Sequence, residues 1–277
     1  VADAVRSIAG AHLLDRHSDV DHNRGVLTIA GAPAAVVDAA FAAAAVAVAR
    51  IDLTRHVGLH PRMGAVDVIP MVPLEGAIMA DAVTAARGLG ARIGAELAVP
   101  AWLYGEAAAP GRPVELRAIR GDGFEALREA GGSLRAPDFG PPRLHPTAGG
   151  VAVGARPALV AFNVTLDSDD IEVARRLARR VRQSSGGLPA VQALGLRLES
   201  QGVAQVTMNL LDHRRSGIAA VLAELMAAAA GEGVALARAE LVGLAPAEAL
   251  AGLDGVDLPG LPTSDDSIEA RLAKAGL

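Results

Sequence analysis

The stretch ALVAFNVTLDSDDIEVARRLARRVR, residues 158–182, decides the fold, because it passes from strand to helix with both boundaries written in its residues. Residues 158–166 form an apolar run broken by Asn163, which has the length and composition of a buried strand. Asp167 and Ser168 then read as a helix cap. Asp169, Asp170 and Glu172 fill the first turn and Arg179, Arg180 and Arg182 the last, so the charges oppose the helix macrodipole. Ile171, Ala174, Leu177, Ala178 and Val181 would form the apolar face. After the breaker Ser184-Ser185-Gly186-Gly187 come two alternating strands joined by a turn at Ser200-Gln201-Gly202. They place Leu194, Leu196 and Leu198 on one face with Val206, Met208 and Leu210. An alanine-rich helix over about 215–230 and a strand over 234–241 complete the order strand, helix, strand, strand, helix, strand. This is the split βαβ pattern (βαββαβ, ferredoxin-like), a mixed or antiparallel sheet with helices on one face. Beyond it lie a Gly/Pro/Asp-rich loop at 252–264 and a short helix at 267–274.

The first half echoes this order without its opening strand. Residues 1–8 read as helix, 13–16 and 26–30 as strands, 33–50 as helix, 65–71 as strand, about 77–97 as helix and 101–104 as strand. The chain is therefore expected to be α/β (α+β), with an N-terminal subdomain over 1–155 and a C-terminal one over 156–277. In a split βαβ sheet the first strand is interior, and its loss would leave two rows of ladder groups without partners. The natural chain is accordingly expected to extend upstream of Val1.

Composition narrows the function. Of 277 residues 51% are apolar but only 2% aromatic, so the core is built from Ala, Val, Leu and Ile, and recognition by rows of stacked aromatics is disfavoured. The net charge of −5, with arginines dispersed among acids, argues against a nucleic-acid partner. Absence of cysteine excludes disulfides, thiolate zinc sites and a cysteine nucleophile, and fits a reducing compartment. The longest apolar stretch, 39–49, is too short for a bilayer span and no signal-like start is visible, so a cytoplasmic protein without a membrane partner is expected.

Three segments could carry chemistry. In His60-Pro61-Arg62-Met63-Gly64, Pro61 steers His60 away from helical geometry and Gly64 frees the backbone before an apolar strand, so a titratable imidazole sits on a stiff turn. Residues 138–150, DFGPPRLHPTAGG, combine three prolines with glycines. They read either as an interdomain linker or, given Arg143, His145 and Thr147, as the lining of a site. Arg156, at the start of the second sheet, suits either a bidentate carboxylate contact or a surface ion pair. Metal binding is weighed and set aside. His17, Asp19, Asp21 and His22 are ordinary residues of a polar loop, and Gly58 and Pro61 keep His56 and His60 off one helical face.

Taken together, the segment from His60 to Pro70, residues 103–108 (LYGEAA), 144–149 (LHPTAG), 153–156 (VGAR), 161–164 (AFNV) and 204–210 (AQVTMNL) resemble the formiminotransferase domain family, in order over about 1–251. The resemblance implies transfer of a formimino group from N-formimino-L-glutamate to tetrahydrofolate, the co-substrate, in histidine breakdown and one-carbon metabolism, by a homodimer and without a metal. It makes His60 the general acid/base. It also makes Gly140, Pro141, Pro142, Arg143, Leu144, His145, Pro146, Thr147, Ala148 and Gly149 the folate-lining loop. Arg62 and Arg156 are the preferred candidates for the substrate carboxylates, ahead of Arg24 and Arg143. The polar face Gln205, Thr207 and Asn209 could line the cleft or meet solvent. Formyl transfer from formylglutamate and a non-catalytic folate-binding homologue are the alternatives. The family's opening strand and the loop after it are missing before Val1, and the acidic residue that assists His60 is left open.

Overall fold

The computed structural model describes residues 1–59, 61–121, 123–130 and 136–277. The chain divides into two compact units, Val1–Leu13, His22–Arg24 and Ile29–Arg156 in the first, and Leu14–Asp21, Gly25–Thr28 and Pro157–Leu277 in the second. It is a mixed α/β protein with parallel and antiparallel sheets.

In chain order the elements up to Arg156 are α1 (Ala2–Arg6), β1 (Ala11–Asp19), β2 (Arg24–Gly31), α2 (Pro33–Arg50), β3 (Val68–Met71), α3 (Met79–Glu96), β4 (Ala101–Gly105), α4 (Leu116–Arg120), α5 (Phe124–Glu129) and β5 (Val151–Ala155). β1 and β2 pair as a two-stranded sheet. The main sheet of the first unit has the order β3-β5-β4 with both ladders parallel. This differs from the split βαβ echo expected of the first half. The reason is β5, a strand absent from the elements that the sequence names in the first half. Its residues Val-Ala-Val-Gly-Ala are small, apolar and all buried, which suits the central strand of a parallel sheet covered on both faces. Arg156 therefore follows a strand of the first unit rather than opening the second sheet.

Alternation along the strands builds two cores. Met71, Leu103, Val151, Val153 and Ala155 pack with Ala40 and Ala44 of α2 and Ala86, Leu89 and Ile93 of α3. The other face carries Trp102, Tyr104 and Ala152, which pack with Met63, Ile119 and Leu127. α2 is long and apolar enough to cross a membrane by length and composition alone. Here Ala39, Ala40, Ala44 and Ala47 are buried, and Asp38 and Phe41 engage Arg92 of α3, by an ion pair at 2.7 Å and by the ring face at 3.8 Å.

The later elements are β6 (Val160–Leu166), α6 (Ile171–Val181), β7 (Val191–Leu198), β8 (Val203–Leu210), α7 (Ile218–Gly231), β9 (Leu236–Leu241) and α8 (Ile268–Ala275). The sheet order β7-β8-β6-β9, antiparallel throughout, is the βαββαβ topology that the sequence predicts. Phe162, Val164, Leu166, Val206, Met208 and Leu210 face Leu177, Val181, Val221, Leu222 and Leu225 of the two helices. Two details depart from expectation. The helix cap is Asp170, whose carboxylate accepts the Glu172 N–H at 2.8 Å, so the helix starts later than the Asp167-Ser168 pair suggests. Leu194 and Leu196 lie across from Thr207 and Gln205 on the polar face, and Val191 and Ala193 take the core side. Gly195 sets that choice, because a Cβ there would come within 2.3–2.7 Å of the α6 backbone at Ala174 and Arg175.

Candidate active site

His60 lies outside the described residues, and the site is built from the residues next to it in the chain. Met63 N–H donates to Asp67 Oδ1 at 2.8 Å, Ala65 N–H to the Ala148 carbonyl at 2.9 Å, and Gly150 N–H to the Met63 carbonyl at 3.0 Å. Gly64 pairs with Gly149 in an antiparallel bridge. Neither position admits a side chain. A Cβ on Gly64 would sit 1.7 Å from the Gly150 carbonyl oxygen, and one on Gly149, at φ +69°, 2.1 Å from that of Met63. The segment just after His60 is thus sewn along residues 63–65 to the end of the proline-glycine loop. Leu53 N–H adds a link to the Thr147 carbonyl at 2.8 Å. The adjoining Asp52 takes the Thr54 hydroxyl and N–H, which hold its carboxyl below the usual range.

The loop has an anchored side and an open side. Gly140, at φ +87°, packs on Gly94 of α3. Leu144 packs on the Trp102 and Tyr104 cluster, and Ala148 and Gly149 are buried. His145 serves the loop itself: its Nδ1 accepts the Ala148 N–H at 3.0 Å, and its backbone exchanges hydrogen bonds of 2.9 and 3.0 Å with Gly149. Pro141 and Thr147 are half-buried, whereas Pro142, Arg143 and Pro146 are exposed. Arg143 has no hydrogen-bond or ion-pair partner among the described residues, so its fork is available to an anion.

Charged groups gather beside the turn. Asp67, while holding Met63 N–H, also receives an Arg120 guanidinium N–H. Tyr104 crosses Gly154, where a Cβ would come within 2.4 Å of its ring. Burial pushes the Tyr104 phenol up, while the charge and hydrogen bond of Arg156 and the charge of Arg120 act in the opposite direction. The Arg156 backbone N–H donates to the Met71 carbonyl at 3.1 Å, and its side chain has a partner within the protein. Arg62 donates to both oxygens of Glu125, at 2.7 and 3.1 Å, and to His56 Nδ1 at 3.0 Å. That guanidinium holds the Glu125 carboxyl below its usual range. The structure thus shows both preferred arginines with partners inside the chain.

The second unit carries a polar network of its own. Thr207 donates to Asn163 Oδ1 at 2.7 Å, Asn163 Nδ2 donates to Glu240 Oε2 at 2.9 Å, and His17 Nε2 lies 3.5 Å from Glu240 Oε1. Gln205, 2% exposed, lines a cavity of about 50 Å³ with Asn163, Thr165, Gln201, Arg238 and Glu240, whereas Asn209 is exposed. The polar face thus runs from the buried Gln205 through the half-buried Thr207 to the exposed Asn209. His17 faces Glu240 and Asp21 accepts the Ser200 N–H at 2.9 Å, so these two do not converge as the weighed metal cluster would need.

Sequence reasoning missed the parts played by His56, Asp67, Arg120 and Glu125. Asp67 lies inside the segment from His60 to Pro70 and Tyr104 inside LYGEAA, but the pairing of Asp67 with Arg120 spans 53 residues and that of Arg62 with Glu125 spans 63, with no local periodicity to reveal either.

Comparison with known proteins bears on the same residues. Residues 1–156 match the formiminotransferase domain, N-terminal subdomain, and residues 161–254 the formiminotransferase domain. The chain is 41% identical over 216 residues to the glutamate formimidoyltransferase of Streptococcus pyogenes, covering 77% of this chain and 72% of that one. With the glutamate formimidoyltransferase of Thermoplasma acidophilum it shares 40% identity over 221 residues, 79% and 73% of the two chains. With the formimidoyltransferase-cyclodeaminase of Sus scrofa it shares 42% over 231 residues, 81% of this chain and 42% of that longer one.

Proposed function

The chain belongs to the formiminotransferase domain family, and from that premise we propose that it transfers the formimino group of N-formimino-L-glutamate to tetrahydrofolate, giving 5-formiminotetrahydrofolate and glutamate. One observation carries the reading to particular residues: the segment just after His60 is sewn to the end of the Gly140–Gly149 loop by the Gly64–Gly149 bridge and the bonds at Ala65 and Gly150. In this reading proton transfer and folate contact belong to neighbouring segments, and the pairing of residues 64–65 with 148–149 supports it.

The chemistry asks for one proton carrier. The secondary amine of the reduced pterin attacks the formimino carbon, and the amine proton passes to the His60 imidazole. The resulting imidazolium returns that proton to the glutamate nitrogen, whose bond to carbon then breaks, leaving the formimino group on the pterin. A group that accepts and then donates near neutral pH suits both halves. The glutamate parts of both substrates bring carboxylates, and Arg143, exposed and unpartnered among the described residues, is the cation available on the loop. Action in the cytoplasm as a homodimer belongs to the same reading.

Incubation of the purified protein with tetrahydrofolate and either formiminoglutamate or formylglutamate, with glutamate release followed, tests the assignment. Release with formiminoglutamate is expected. Release with formylglutamate alone would make the protein a formyl transferase, and release with neither would leave a binding protein.

A further inference from the structure

Arg62 lies two residues beyond His60, and its guanidinium is occupied inside the protein. Nε donates to His56 Nδ1 at 3.0 Å, Nη2 to the His56 carbonyl at 2.9 Å and to Glu125 Oε1 at 2.7 Å, and Nη1 to Glu125 Oε2 at 3.1 Å. Four of its five N–H groups are thus used. Its side chain is 15% exposed, against 53% for Glu125. The backbone repeats the link, since the Arg62 carbonyl accepts the Phe124 N–H at 2.9 Å.

His56 is held in turn. Because its Nδ1 receives the Arg62 N–H, the ring carries its proton on Nε2, which donates to the Asn23 carbonyl at 2.9 Å. Asn23 closes the circuit by donating its amide to the Val57 carbonyl at 2.7 Å. His56 and Arg62 are therefore tied to each other and, through Asn23 and Glu125, to two other parts of the chain. Apolar packing does not share the task evenly, for Val57 is 85% exposed and Leu59 40%.

We propose that Arg62 and Glu125 are positioning residues for His60, forming a clamp that fixes the turn rather than a receptor for a substrate carboxylate. The proposal rests on the reading of His60 given above. A receptor would need the fork that Glu125 already fills in bidentate fashion. A lysine keeps the charge but cannot reproduce bonds to both His56 and Glu125.

The two roles separate in steady-state kinetics of Arg62→Lys, Glu125→Gln, the double variant and His60→Ala, each checked for folding by circular dichroism. The clamp predicts that R62K and E125Q each lower kcat about ten- to hundredfold, with KM for formiminoglutamate within about twofold. It also predicts that the double variant is little worse than the poorer single one, because both remove one contact. Should R62K fold poorly, E125Q carries the test at a half-exposed position. A KM for formiminoglutamate raised tenfold or more in R62K with kcat retained, alongside a neutral E125Q, would overturn the clamp, as would unchanged kcat in both variants. Inactive His60→Ala with either result refutes the clamp alone. His60→Ala at the wild-type rate refutes instead the proton-transfer reading on which it rests.

Discussion

Gly64 sits where the Gly150 carbonyl leaves no room for a methyl group, and that absence of volume lets the turn lie against the loop. Gly64→Ala is expected to cost about 3 kcal/mol or more, because backbone on both sides must separate. Gly88→Ala, in the interior of α3 with open space around its Cβ position, is expected to stabilise by up to about 1 kcal/mol. Urea unfolding of the two variants checks the pair. Glu125 makes a prediction of opposite character. Its carboxyl is held low by Arg62, so its contribution to stability is present above the ordinary glutamate pKa and is lost as pH falls through the lowered folded value. The stability gap between wild type and Glu125→Gln, below about 1 kcal/mol because Glu125 is half exposed, should shrink steadily in acid below about pH 4.5. A gap that widened in acid would contradict this assignment. At this scale Pro61 and Gly64 were legible, since each acts on its own backbone. Asp67 and Glu125 were not, because each acts through an arginine more than fifty residues away.

Among the elements, β6 and α6 declared themselves through an apolar run, an acidic first turn and a basic last turn. β7 did not, because leucine at 194 and 196, in line with the buried Leu198, imitates a core face. The partner decides: α6 comes so close over Gly195 that only that side of β7 can face the helices. Gly195→Ala should therefore destabilise the protein by about 2 kcal/mol or more through displacement of α6, whereas Leu194→Thr on the 52% exposed position should stay within about 0.5 kcal/mol. Asp170→Ala removes the α6 cap and should cost about 1 kcal/mol. β5 escaped notice for another reason. Five small residues between a proline-glycine loop and Arg156-Pro157 carry no alternation to mark a strand, and the parallel neighbours on both sides make them one.

At the scale of the whole molecule, the two-part α/β organisation was legible because the second half repeats a known order of elements with clear breakers. The topology of the first half was not, since parallel pairing is fixed by crossovers rather than by adjacent hairpins. The six ordered segments carry the family resemblance in the sequence itself, and two of them, at 60–70 and 144–149, are joined by the Gly64–Gly149 bridge. In the proposed reading, proton transfer rests on the His60 imidazole. The most direct measurement is the rate of formimino transfer to tetrahydrofolate by His60→Ala beside wild type, both at saturating substrate and with matched circular dichroism. The account predicts a loss of about 10²- to 10⁴-fold in kcat. Equal rates would contradict it.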